Sequence, residues 1–108
     1  MIYRVTTPTD TFTLPIETNT CSVIQVTYTQ ANVKIVKEYK NGTVPAGMTL
    51  DGKNVIVRLT QAETKSFIAN EFTNVQVRVL NNNGDAFASK VFKTFIGEVL
   101  NEEILING

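Results

Sequence analysis

A two-residue period of apolar side chains most limits what this chain can fold into. The alternation runs through residues 55–59 and again through residues 75–80, with β-branched side chains at nearly every second place. Successive side chains of a strand point to opposite faces, so each run directs one apolar row toward a core. The inward positions are Val55, Val57 and Leu59 in the first run and Val75, Val77 and Val79 in the second. Both runs are therefore predicted to be half-buried strands.

A short helix is predicted between these two strands. Thr60 and Glu63 have the spacing of a capping box, in which the Glu63 amide donates to the Thr60 hydroxyl and the Thr60 amide donates to the Glu63 carboxylate. Strand-like sequence resumes near Phe72, so a helix over residues 60–67 has room for only about two turns. The side expected to face the sheets carries Leu59, Ala62, Ser66 and Phe67. A helix of this length can bridge two strands at one end of a β-sandwich.

The rest of the chain also favours strands and tight turns. Further strand-like segments occupy residues 7–15, 22–29, 33–39 and 86–95. Hairpin turns are predicted at Asp51-Gly52 and residues 81–85, and a further turn at Asn41-Gly42, because glycine supplies the positive φ that such turns require. A calcium site at Asn81, Asn83 and Asp85 is the alternative for the last turn, but calcium needs more oxygen ligands than this loop offers. Together the segments predict one domain over residues 1–108.

Length, composition and charge limit the class of protein. With 108 residues, of which 43% are hydrophobic, the chain can bury one core and has little room for a second. Ten basic and ten acidic side chains give a net charge of zero, so no overall field favours nucleic acid or an anionic membrane. No apolar run approaches the roughly 20 residues that span a bilayer. The first residues lack the leader of a secretory signal, so we expect a soluble product of a cytoplasm.

A group of lysines invites a nucleic-acid interpretation. Lys34, Lys37 and Lys40 lie in or next to one predicted strand, beside Tyr39. Lys37 falls on the opposite strand face from Lys34 and Lys40, which divides the charge between two faces. A solvated edge strand protected by lysine is the favoured interpretation, because charged side chains discourage the addition of another strand.

Side chains for catalysis and metal binding are scarce. The chain has no histidine and one cysteine, which excludes serine–histidine and cysteine–histidine catalysis and zinc sites of the usual type. Cys21 is expected to be a buried small hydrophobe, because a reactive thiol would lack an activating base. Glu102 and Glu103 are adjacent carboxylates, but neighbours on a strand point apart and form no acid–base pair. We therefore assign no catalytic, cofactor-binding or metal-binding residue.

Aromatic side chains are predicted to belong to the core. Five phenylalanines lie near the central strands: Phe67, Phe72, Phe87, Phe92 and Phe95. A platform that stacks on sugars is the alternative, but such a platform more often exposes tryptophan or tyrosine, and the chain has no tryptophan.

The segment that follows the last predicted strand is too apolar for a solvated end. Gly97 is expected to break that strand. The segment either adds a last strand to the domain or docks on a neighbouring subunit. Its candidate protein-contact residues are Val99, Leu100, Ile104, Leu105 and Ile106. The threonine-rich N-terminal segment is the second candidate contact element.

Three segments, in this order and spacing, resemble a known family. They are residues 7–15 (TPTDTFTLP), 57–67 (VRLTQAETKSF) and 75–89 (VQVRVLNNNGDAFAS), followed by residues 97–100 (GEVL). Over nearly its whole length the chain resembles small, mostly uncharacterised proteins from prophages of gut Firmicutes, although Ala62 stands where an acidic residue is common. More loosely, it is similar to the immunoglobulin-like N-terminal domain of phage baseplate upper proteins, in which a short helix bridges two strands.

The resemblance implies a phage-encoded virion protein of the tail, neck or baseplate, made in the cytoplasm of the bacterial host, and it supplies no functional residues. We expect an all-β, immunoglobulin-like β-sandwich of about seven strands with one short helix at residues 60–67. We expect a non-enzymatic structural protein without a cofactor, which contacts itself as a homo-oligomer and other virion proteins, but neither nucleic acid nor membrane. Two other functions stay open: a module that binds host-surface glycans, and an intracellular phage accessory protein.

Overall fold

The structure is a computed structural model and describes residues 1–107. Nine strands and one short α-helix make up the regular structure of these residues. The strands are β1 (Ile2–Tyr3), β2 (Thr9–Thr13), β3 (Cys21–Gln30), β4 (Val33–Lys40), β5 (Met48–Asp51), β6 (Asn54–Arg58), β7 (Phe72–Asn81), β8 (Ala86–Ala88) and β9 (Phe92–Gly97), and the helix is α1 (Gln61–Lys65). A turn of 3-10 helix at Thr18–Thr20 precedes β3. The predicted all-β class is confirmed.

The strands form two sheets. The large sheet has the order β1-β9-β7-β3-β4, with β8 paired to the far end of β7, and the small sheet has the order β2-β6-β5. Strand β1 runs parallel to β9, and the other pairs are antiparallel. The predicted turns at Asn41-Gly42 and at Gly52 are confirmed, and all three residues have positive φ. Strands β2 and β4 each lie at an edge of their sheet.

The inward rows predicted in residues 55–59 and 75–80 form the core between the sheets, together with one row of β3. The buried side chains from β3, β6, the residue after β6, and β7 are Ile24, Val26, Tyr28, Val55, Val57, Leu59, Val75, Val77 and Val79. Arg58 and Arg78, in the outward rows, are exposed. Burying one such aliphatic side chain stabilises the folded state by roughly 1.5–3 kcal/mol, so these rows account for the pairing of the two sheets.

The capping box at the start of α1 is confirmed, but the helix is shorter than predicted. The Glu63 amide donates to Thr60 Oγ1 at 3.1 Å, and the Thr60 amide donates to Glu63 Oε1 at 2.9 Å. Phe67 is buried as expected, whereas Ala62 and Ser66 are exposed. Thr64 is buried instead. It lies about 200° around the helix from Ala62, on the side that faces the sheets.

Thr64 also ties α1 to the N-terminal segment. Its hydroxyl donates to the Thr6 carbonyl at 2.8 Å and accepts the Thr6 amide at 3.0 Å. The side chain thus satisfies a main-chain donor and a main-chain acceptor that would otherwise be buried without partners. This pair of bonds fixes the crossing from β1 in the large sheet to β2 in the small sheet.

The single strand predicted over residues 86–95 is wrong. Strand β8 pairs with the end of β7, while β9 pairs with its beginning. Ser89 separates the two strands: its amide donates to the Val77 carbonyl at 2.8 Å, and its hydroxyl accepts the Val77 amide at 3.0 Å. Because one serine takes both ladder bonds of Val77, the chain leaves the regular register there and resumes it three residues later.

The last strand ends at Gly97, as expected, two residues beyond its predicted end at Phe95. Gly97 is the last residue of β9, pairs with Tyr3 of β1, and accepts the Arg4 amide at 3.0 Å. A Cβ at this position would lie 2.6 Å from the Tyr3 ring, so the absence of a side chain allows β1 to approach. With β1 and the divided strand, the described chain has nine strands where about seven were expected.

Candidate functional site

The C-terminal segment, residues 98–107, carries all five predicted contact residues and contains no strand. Leu100 is fully exposed, and Leu105 and Ile106 are 77% and 87% exposed. Ile104 is 38% exposed, and Val99 is half-buried. The predicted alternative in which this segment adds a last strand to its own domain is therefore wrong for residues 98–107. Three large aliphatic side chains face solvent instead.

Polar contacts hold the C-terminal segment on its own domain. Gln61 Nε2 donates to the Leu105 carbonyl at 3.0 Å, and the Leu105 amide donates to Gln61 Oε1 at 2.9 Å. Arg4 forms an ion pair with Glu102 and donates to the Lys65 carbonyl at 2.8 Å. The main chain is thus positioned while the aliphatic side chains of Leu105 and Ile106 stay free of the core.

An apolar groove of about 570 Å³ opens between the edge of the small sheet and the strands β8 and β9 of the large sheet. We call it the β2 groove. Residues 11–16 line one wall, and the other wall carries Val77, Val79, Phe87 and Phe92. Two of its hydroxyl groups are already bonded, since Thr13 Oγ1 donates to Asn54 at 2.8 Å and Ser89 Oγ donates to the Lys90 carbonyl at 2.8 Å. The groove therefore offers apolar surface and few free polar side chains.

The groove corrects the prediction that the phenylalanines are core. Phe67 is buried, but Phe72, Phe87 and Phe92 are 59%, 52% and 41% exposed. Phe72 packs edge-on against Phe95 with ring centroids 5.2 Å apart, outside the core. Phe87 and Phe92 are exposed because the small sheet ends at β2 and does not reach over them. No local pattern reveals this, because the cover over a strand depends on the width of the opposite sheet.

The open edge of β2 borders the groove. On its other side β2 pairs with β6, and there the Leu14 amide donates to Lys53 while the Leu59 amide donates to the Pro8 carbonyl. Main-chain groups alternate between the two sides of a strand, so the even-numbered residues face β6 and the odd-numbered residues face away. The amides and carbonyls of Thr9, Thr11 and Thr13 are therefore directed to the open side. No strand of residues 1–107 pairs with them.

The lysines of β4 follow the edge-strand prediction. β4 lies at the edge of the large sheet, with Lys34 and Lys40 exposed. Lys37 turns to the other face, where its Nζ lies 2.8 Å from the Glu63 carboxylate of α1. Burial by itself raises the pKa of Glu63, but the hydrogen bonds from Lys37 and from the Thr60 amide outweigh it and hold that pKa below its ordinary value. One of the three positive charges is thus neutralised within the fold.

Cys21 and Tyr28 are the buried groups with perturbed acidity. Cys21 is buried, as predicted, and burial raises the pKa of its thiol. Burial also raises the pKa of Tyr28, and its hydroxyl donates to Asp10 at 2.7 Å. Both groups therefore stay protonated at neutral pH. The thiol is inert as a nucleophile in this state, because the thiolate is the reactive form.

The turn at residues 81–85 has the geometry of a plain loop. Asn81 Oδ1 accepts the amides of Asn83 and Asp85 at 3.0 and 2.9 Å. Within residues 1–107, no group of three or more histidine, cysteine or acidic side chains is placed to hold a metal ion. No helix in that range is long and apolar enough to cross a membrane.

Comparisons of the chain with protein-family models, with curated proteins and with solved structures found no match. The functional argument therefore rests on two surfaces of the molecule itself. One is the C-terminal segment with its exposed aliphatic side chains, and the other is the β2 groove with its open strand edge. Sequence reasoning identified the first surface from its composition and named the threonine-rich segment that forms β2 as a second contact element, but it missed the groove beside β2.

Proposed function

We propose that the protein is a non-enzymatic structural component that acts through protein–protein contacts and assembles with copies of itself. One observation carries the proposal: Leu100, Leu105 and Ile106 are 105%, 77% and 87% exposed on a segment that polar bonds hold in place. Isolated exposed aliphatic side chains are common on protein surfaces, but an apolar segment fixed by its main chain is typical of contact sites. Its apolar side chains suit another protein surface better than water.

We further propose that the two sheets are a form of the immunoglobulin-like sandwich. In such folds one sheet has strands in the order A-B-E-D and the other includes C, F and G, with C′ added in the variable type. The order β2-β6-β5 corresponds to B-E-D, and β9-β7-β3-β4 corresponds to G-F-C-C′. The capped helix α1 lies between the strands that correspond to E and F. The correspondence leaves the place of strand A, next to β2, without a strand in residues 1–107.

The proposed setting is a phage particle, in which the protein is part of the tail, neck or baseplate beside other virion proteins. This setting is supported by the resemblance of residues 7–15, 57–67 and 75–89 to small prophage proteins, and by the suitability of a small domain for symmetric repetition. The β2 groove does not favour the alternative of glycan recognition, because sugars need several free polar partners and its hydroxyl groups are mostly bonded.

The test has two parts. Particles purified from a bacterial strain that encodes the protein are examined by quantitative mass spectrometry, and a fixed copy number per particle is expected. A protein that stays in the lysate supernatant contradicts the virion setting.

For assembly, the solution mass of the wild type is measured by light scattering across a range of concentrations and compared with Leu105→Asp. Because Leu105 is exposed, this change should leave the fold intact while it weakens association. Equal association of the variant and the wild type contradicts a role of the segment. The matched control is Lys65→Asp, at an exposed position on α1.

A further inference from the structure

We propose that residues 104–106 of one copy add as a strand to the open edge of β2 in a second copy and close the β2 groove there. This inference rests on the proposed function, since it presupposes self-assembly, and it goes further by naming both sides of the contact. The small sheet then gains a fourth strand next to β2, at the place that strand A occupies in an A-B-E-D sheet.

The first argument is the match of main-chain groups. The amides and carbonyls of Thr9, Thr11 and Thr13 face the open side of β2 without a strand partner in residues 1–107. In the C-terminal segment, Leu105 uses its amide and carbonyl on Gln61, while those of Ile104 and Ile106 make no hydrogen bond within the described chain. Two strips of unused main-chain groups can therefore pair by strand addition.

The second argument is the match of apolar surface. Phe87 and Phe92 remain about half exposed because the small sheet ends at β2. An added strand beside β2 lies over these rings and covers them. On an added strand, Leu105 points to one face and Ile104 and Ile106 point to the other, so Leu105 lies on the groove side when Ile106 pairs with Thr11. Nothing covers Leu105 in its own copy, and the contact removes this side chain and the two rings from water together.

The third argument is charge. Lys90 Nζ lies 5.5 Å from the centre of the Phe92 ring, so the Phe92 end of the groove carries a positive charge. The C-terminal segment carries the exposed Glu103 directly before Ile104, while its neighbour Glu102 is already paired with Arg4. Opposite charges at the end of an apolar contact favour one register over others.

A second copy is the occupant that these observations favour. The segment lies outside its own groove, because Leu105 is bonded to Gln61 at the start of α1. Donation in one direction, from the segment of each copy to the groove of the next, is a heterologous contact that produces a ring or a filament. A contact of three apolar residues is smaller than the roughly 1,200 Å² of a stable interface, so assembly should depend on concentration.

Disulfide trapping tests the contact directly, because burial shields the native Cys21 from oxidation in the folded protein. Full-length Thr11→Cys and full-length Ile106→Cys are purified separately, mixed, and oxidised under mild conditions. Peptide mass spectrometry should find the disulfide between positions 11 and 106, which in this mixture can only join two different copies. The matched control replaces Thr11→Cys by Thr49→Cys, an exposed position on β5 at the opposite edge of the same sheet. We expect at least a tenfold lower yield for the control.

Light scattering tests the mechanism with a second pair of variants. Thr11→Pro removes an amide that faces the open edge and leaves the β2–β6 ladder in place, so it should weaken association about tenfold. Thr11→Ala keeps that amide and should associate like the wild type. Circular dichroism and thermal unfolding of both variants show whether the fold is retained.

The outcomes separate this inference from the proposed function. Association that Leu105→Asp abolishes but Thr11→Pro leaves unchanged, together with equal trapping at positions 11 and 49, overturns strand addition at β2 and leaves self-assembly standing. A wild type that remains monomeric at every concentration overturns the inference, whether or not the protein is found in particles. A small apolar molecule that fills the groove of a monomer in native mass spectrometry overturns it as well.

Discussion

The side-chain amide of Gln61 binds the main chain of Leu105 through two hydrogen bonds, at 3.0 and 2.9 Å, across 44 residues of sequence. Gln30 makes the same pair of bonds with Ile68, at 2.9 and 2.5 Å. In both cases a glutamine provides one donor and one acceptor, as a neighbouring strand would. The difference is burial, since Gln30 is 4% exposed and Gln61 is only half-buried.

We expect Gln61→Ala to release the C-terminal segment without unfolding the domain. The two bonds lie near solvent, so their loss should lower the free energy of unfolding by less than about 1 kcal/mol. Hydrogen exchange at the Leu105 amide and limited proteolysis within residues 98–107 should both become faster. Lys65→Ala, on the same helix, is the control and should leave both rates unchanged. Unaltered exchange at Leu105 in Gln61→Ala shows that other contacts hold the segment.

The corresponding change in the core should be much more costly. Gln30→Ala removes a buried side chain and leaves the amide and carbonyl of Ile68 without their partners. We expect the free energy of unfolding to fall by about 2–3 kcal/mol, measured by urea denaturation. If Gln30→Ala lowers the free energy of unfolding no more than Gln61→Ala does, burial does not determine how much this pair of bonds stabilises the fold.

The parts of the fold that the sequence predicts are those that local chemistry determines. The alternation in residues 55–59 requires one buried face whatever strand lies beside it, and the capping box of Thr60 and Glu63 closes within one turn. Local sequence does not predict strand β1, because Ile2 and Tyr3 form a strand only through pairing with β9.

In the candidate site, too, local sequence predicts some features, while others depend on residues that are distant in the chain. Composition identifies the C-terminal segment as apolar, but its attachment depends on Gln61, which is remote in sequence. The β2 groove brings Phe12 together with Phe87 and Phe92 from the other sheet. Whether those rings are covered depends on how many strands the small sheet contains, and that number follows from the pairing of the whole chain.

Two glycines with similar backbone angles should respond differently to alanine. Gly47 has φ +81 and Gly84 has φ +85, so a side chain strains the backbone at both positions by about 1 kcal/mol. At Gly47 a Cβ would also lie 2.5 Å from the main-chain oxygen of Arg58, whereas at Gly84 nothing lies within 4 Å. We expect Gly84→Ala to cost about 1 kcal/mol and Gly47→Ala about 2–4 kcal/mol in thermal or urea unfolding. Equal losses would mean that the loop at Gly47 moves away from β6 without cost.

The ion pair between Lys37 and Glu63 should make stability depend on pH in the acid range. The pKa of Glu63 lies below its ordinary value of 4.5, so the carboxylate contributes stability above that value and loses it as the pH falls through its folded-state pKa. Glu63→Gln removes the charge but keeps an oxygen that can accept the Thr60 amide, since glutamine also serves in capping boxes. We expect a loss of about 1 kcal/mol in the free energy of unfolding at about pH 7, and a smaller loss at about pH 3, because the effect declines as the pH falls through the folded-state pKa of Glu63.

Urea denaturation followed by circular dichroism at the two pH values measures this difference. Glu71→Gln is the control, because Glu71 is exposed and its carboxylate makes no ion pair in residues 1–107. Its effect should stay within about 0.5 kcal/mol at both pH values. A loss in Glu63→Gln that does not become smaller between about pH 7 and about pH 3 would assign the effect to packing of the side chain, because protonation of the wild-type carboxylate removes the charge that attracts Lys37.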